Sequence, residues 1–130
     1  MDKEDNRELS FLTETPYGGE IFFDEFNDPD REWRVMLYDV LNPEIRKSGT
    51  TKYLVFIGRL LKGFNPEEYN LDLKYKIYFS YVAFKRAWLR ARRDRLHLNE
   101  YKMYDCVMTF KRPNRMKMDI VYLRFNEVMV

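Results

Sequence analysis

The chain has 130 residues, a net charge of +2, 45% hydrophobic and 17% aromatic content. That composition is too apolar for a disordered chain and large enough for a single core. No apolar run approaches the roughly 20 residues needed to cross a bilayer, and the charged opening Met1–Ser10 lacks the apolar segment of a secretory signal. One cysteine, Cys106, excludes an intramolecular disulfide and fits a reducing compartment, so a cytoplasmic location is expected.

The charge is polarised along the chain. Residues 1–45 hold 13 acids against 4 bases, and residues 46–130 hold 8 against 19. Such asymmetry points to a surface that meets polyanions, or to a basic face that meets an acidic one.

Residues 1–18 read as a flexible acidic tail ahead of a single α+β domain over 19–130. Glu20 to Phe26, a short apolar run between turn residues, predicts a strand. Asp28-Pro29-Asp30 is a helix-start signature. Trp33, Met36, Leu37, Val40 and Leu41 follow at helical spacing, which predicts a helix over Pro29 to Leu41, stopped at Asn42-Pro43. Glu44 to Gly49 reads as a polar connection. A second helix is predicted from Thr51 to Lys62, with Tyr53, Leu54, Ile57, Leu60 and Leu61 on its apolar stripe and Gly63 at its end.

From Leu71 the period changes to two. Leu71, Leu73, Tyr75, Ile77 and Phe79 alternate with polar partners and predict a strand. Tyr104, Cys106, Met108 and Phe110 alternate likewise. Lys111-Arg112-Pro113-Asn114-Arg115 reads as a turn, and Met116 to Phe125 returns as the second strand of a hairpin. The expected fold is α+β, with two helices packed on an antiparallel sheet of three to four strands.

The segment Ala83–Leu96 is the most informative. Phe84, Trp88 and Ala91 form a narrow apolar stripe on a helix, surrounded by Lys85, Arg86, Arg90, Arg92, Arg93 and Arg95; a twisted β-arm is the alternative. Guanidinium groups pair bidentately with phosphate, and neutralising several phosphates gives steeply salt-dependent binding. Trp88 suits a base stack or a lipid interface. Lys111, Arg112 and Arg115 on the hairpin turn extend the same candidate face. The partner classes are nucleic acid, an anionic membrane surface or an acidic protein. Homo-oligomers are also open. A protein–protein module, such as a viral or phage inhibitor of a host factor, is the alternative function.

Enzyme chemistry is thinly represented. One histidine, His97, and one cysteine do not build a Cys/His zinc site. No G-x-S-x-G elbow, Walker loop or dinucleotide glycine loop occurs. No catalytic residue, cofactor or metal is expected. Asp72-Leu73-Lys74, with Glu67 or Glu68, is the one nuclease-like fragment, and the solvent face of an amphipathic strand is the better explanation of it. Tyr38-Asp39-Val40-Leu41 has the form of a Y-x-x-L peptide, with core packing as its alternative.

The expected order, a strand at Glu20–Phe26, a helix at Pro29–Leu41, a glycine-containing loop at Ser48-Gly49, a helix at Thr51–Lys62, then a twisted antiparallel sheet from Leu71, resembles the core of rhabdovirus matrix proteins. The lysine-rich N-terminus and P-P-x-Y peptide of that family are missing here. The resemblance implies a structural protein that self-associates, binds nucleocapsid and adheres to anionic membrane.

Overall fold

The computed structural model describes residues 17–25, 28–62, 71–91 and 97–129. Among these, seven strands and one α-helix occur: β1 Tyr17–Phe22, β2 Asp28–Tyr38, β3 Glu44–Ser48, β4 Thr51–Leu60, β5 Lys74–Ser80, helix α1 Tyr81–Arg90, β6 Tyr104–Asn114 and β7 Lys117–Glu127. A 3-10 turn, Phe23–Glu25, follows β1. One sheet joins all the strands in the order β1-β5-β4-β2-β6-β7, with β3 also paired to β4. Only the β1–β5 pair is parallel. The tail expected over 1–18 lies outside the described residues up to residue 16.

Two helices on a small sheet are therefore not the architecture. Pro29–Leu41 is largely strand β2, and Thr51–Lys62 is largely strand β4. The cause lies in burial from both sides. In β2, Trp33, Val35 and Leu37 face the core at period two, while Met36 and Tyr38 are half-buried on the other face. In β4, Leu54, Phe56 and Leu60 are buried on the core face, and Val55 is buried on the opposite one. Apolar residues on both faces of a strand imitate helical spacing, and a continuous apolar run does not separate the two forms. The β-branched and aromatic content of Tyr53–Ile57 fits a pleated surface. Asp28 does accept a backbone N–H, that of Asp30 at 3.1 Å, as an N-cap would. Here the bond opens a strand at a register shift between Asp28 and Glu32. Pro29 sits in that irregular stretch, where its missing N–H removes no ladder bond.

Glu44–Gly49 is not a plain connection. β3 turns into β4 through Gly49-Thr50, with Ser48 opposite Thr51. Gly49 has φ of +61°, a conformation two-residue hairpin turns require and glycine adopts freely. The expected β6–β7 turn also moves: β6 runs through to Asn114, which pairs with Lys117, leaving Arg115-Met116 as the turn. The element order behind the resemblance to matrix proteins loses both of its helices.

The core lies on one face of the sheet. Ile21, Leu37, Leu54, Phe56, Ile77, Phe79, Cys106, Met108 and Phe110 project there, and α1 lays Ala83, Phe84 and Ala87 on them. The 3-10 turn inserts Phe23 between Trp33, Phe79 and Phe110, with ring centroids 5.2, 5.4 and 5.0 Å away. At the centre, β4 and β2 approach so closely that a Cβ on Gly58 would lie 2.6 Å from the carbonyl oxygen of Met36 and 2.7 Å from Cδ1 of Ile77. Neither the backbone oxygen nor the packed Ile77 gives way cheaply. Gly58→Ala is expected to destabilise the protein by about 1–3 kcal/mol, the usual cost of overpacking. Chemical denaturation checks this, and an unchanged midpoint would contradict the close packing.

Candidate functional site: the outer face of α1 and the β6–β7 turn

Helix α1 follows β5 without a loop. Ser80 precedes it with no side-chain capping bond, and no acid occupies its first turn. The helical repeat separates its residues cleanly. Ala83, Phe84 and Ala87 are buried; Trp88 stacks on Phe84 at 5.6 Å and meets Phe125 edge-on at 5.8 Å. The opposite side presents Val82, Lys85, Arg86, Leu89 and Arg90, with Leu89 63% exposed. The segment from Tyr81 to Arg90 is thus helix and not β-arm. Arg92, Arg93 and Arg95 lie outside the described residues.

The cations of this face are held in different ways. Lys85 Nζ sits 5.7 Å from the centroid of Tyr81, and Lys52 Nζ reaches the same ring at 4.2 Å. Lys47 stands opposite Lys52 across the β3–β4 ladder. Arg90 donates from Nη2 to the carbonyl oxygen of Met118 at 2.7 Å and lies 3.5 Å from Asp119. That contact ties the C-terminal end of α1 to the start of β7, beside the Arg115-Met116 turn. The Arg90–Asp119 pair is about half exposed, where solvent screening leaves such pairs worth little. Among the described residues, Lys85, Arg86 and Arg115 have no ion-pair partner.

The turn keeps only part of its expected set. Arg115 is exposed, and Lys117 joins it, 3.8 Å from Asp119. Lys111 alternates away from the buried Phe110 and meets Glu32 at 3.9 Å on the other side of the sheet. Arg112 is withdrawn from the surface altogether. It is 0% exposed and donates from Nη2 to the carbonyl oxygen of Arg115 at 2.7 Å. Burial lowers the pKa of its guanidinium, against the pull of the Asp24 carboxylate, which raises it. Arg112 therefore fastens the turn from inside and contacts no external polyanion. Trp88 is likewise committed to Phe84 and Phe125. The sequence signal that Arg112 turns inward is its place at period two after Cys106, Met108 and Phe110.

The other candidate chemistry is dispersed. Asp72 is in a turn, 3.8 Å from Arg59, and Lys74 lies 4.8 Å over the ring of Tyr38. Glu67 and Glu68 lie outside the described residues. Val40 of the Y-x-x-L peptide is buried. Cys106 is fully buried, which pushes its thiol pKa up to about 12. Among the described residues no group of three metal-ligating side chains occurs, and no helix is long and apolar enough to cross a membrane. No protein-family model, curated protein or solved structure matches the chain.

Arg112→Ala is expected to cost about 3 kcal/mol or more, because a filled, hydrogen-bonded interior site is emptied. Arg115→Gln on the exposed turn is expected to stay within about 0.5 kcal/mol of the parent. Thermal unfolding of the two variants distinguishes the buried from the presented arginine; equal effects would contradict it.

Proposed function

We propose that the protein is a non-enzymatic binding protein that docks on an anionic membrane surface through the outer face of α1 and the β6–β7 turn. One observation carries the reading: both elements present an exposed apolar residue bracketed by cations. Leu89 lies between Arg86 and Arg90 on the helix, and Met116, 67% exposed, lies between Arg115 and Lys117 on the turn. Cations draw a surface to anionic headgroups, and the aliphatic side chains between them enter the headgroup boundary. Trp88 is partly buried, with its ring stacked on Phe84 and met edge-on by Phe125, so less of it is left to stack on a base, which favours lipid over nucleic acid. The cytoplasmic leaflet, where anionic lipids are concentrated, is the surface this reading places it on.

Each lysine or arginine near such a surface contributes about 1 kcal/mol. Lys85→Gln combined with Arg86→Gln is therefore expected to weaken partition onto phosphatidylserine-containing vesicles about 30-fold, from a loss of ~2 kcal/mol. Added salt weakens the parent more steeply than this variant. Leu89→Ser lowers the partition while leaving the salt dependence unchanged. Co-sedimentation measures all three. Binding to RNA or DNA at low salt without binding to vesicles would replace the membrane reading with a nucleic-acid one, and binding to none of these would remove both.

A further inference from the structure

The sheet is interrupted at one place. β2 pairs with β4 as far as Tyr38 opposite Ile57, and β3 resumes with Glu44 opposite Val55. Five residues, Asp39–Pro43, thus span the single β4 position Phe56. The chain has to leave the sheet plane to accommodate them. Asp39 takes φ of +48°, a conformation uncommon for a residue with a side chain. Its side chain accepts a bond from Asn42 Nδ2 at 3.0 Å, and the carboxylate of Asp105 accepts its N–H at 3.4 Å. This detour opens a cavity of about 480 Å³ on the sheet face turned away from α1. That volume is within the range of small-molecule sites, roughly 300–1,000 Å³.

Its walls combine two chemistries. Val55, Ile57, Met103 and the ring of Tyr38 form an apolar lining, and Lys74 and Lys76 project into it from alternate positions of β5. The acids around it already have tasks. Glu44 accepts from Arg46 at 2.8 Å and lies 3.9 Å from Lys76, while Asp39 and Asp105 hold the detour itself. Lys76 is nearly buried, and desolvation lowers its pKa, with the Arg46 charge acting in the same direction. Lys74 is exposed at the mouth and meets no carboxylate within ion-pair distance among the described residues.

We infer that this cavity binds a small amphipathic anion, an aliphatic or aromatic body against Tyr38, Val55, Ile57 and Met103 with a carboxylate or sulfonate head at Lys74. The site lies on the face of the sheet opposite the helix and does not depend on membrane docking. Dodecanoate below its micelle concentration and the fluorescent anion anilinonaphthalenesulfonate are the probes. Dodecanoate is expected to bind at one site and displace the fluorophore. Lys74→Glu is expected to weaken both by at least about tenfold. Met103→Asp, at a wall position that is 42% exposed, is expected to weaken them similarly. Lys85→Gln with Arg86→Gln is expected to leave both unchanged, which separates this site from the helix surface. Absence of dodecanoate binding, indifference to Lys74→Glu and Met103→Asp, or equal affinity for the uncharged dodecanol would each overturn the inference.

Discussion

The aromatic cluster between α1 and the sheet decides what the surface of this protein looks like. Phe79 lies within 5.8 Å of Phe23, Phe56, Phe84 and Phe110, and Phe84 passes the contact on to Trp88. Such rings supply large buried areas and preferred edge or offset contacts. Once Phe84 and Trp88 are turned into that cluster, the helical repeat leaves no freedom for the rest. Lys85, Arg86 and Leu89 must face outward, whatever the partner. Arg90 reaches the carbonyl of Met118 on β7, among the described residues the last strand in the sheet order.

The second half is legible in the sequence because its alternate positions differ in chemistry. β5 is covered on both faces, yet Lys74, Lys76 and Tyr78 alternate with Tyr75, Ile77 and Phe79; β6 alternates likewise, and α1 carries its apolar stripe at Phe84 and Trp88 with charges around it. The first half imitates helix for the opposite reason. β2 and β4 run through the middle of a broad sheet, with β4 flanked by β5 on one side and by β2 and β3 on the other. Val55 and Met36 are covered as well as Leu54 and Leu37, so the period-two signal is filled in. Gly58 in the middle of the expected second helix was the sign against it. Its role is close approach of Met36 and Ile77, which concerns a neighbouring strand that no local window contains.

The candidate site was legible as a composition and not as a geometry. Lys85, Arg86, Arg90 and Arg115 were visible as a basic set, and they do reach the surface. Arg112 belonged to the same run and is interior, because one-residue alternation in β6 turns it inward beneath the turn. Lys117 lies beyond the expected turn at Lys111–Arg115 and joins the site because the turn forms at Arg115-Met116 instead. The cavity beside Asp39 had no sequence signature, because it arises from a mismatch in register between β2, β3 and β4. Asn42-Pro43, read as the end of a helix, is the detour that creates it.

The orientation of α1 is the claim on which the surface reading rests, and single-cysteine scanning tests it most directly. In a Cys106→Ala background, cysteines placed singly from position 82 to 89 are labelled with a maleimide in the folded protein. Rapid labelling at 82, 85, 86 and 89, with protection at 83, 84 and 87, is the predicted pattern. Protection at 85, 86 and 89, or uniform labelling along the segment, would contradict a helix clamped to the sheet by Phe84 and Trp88.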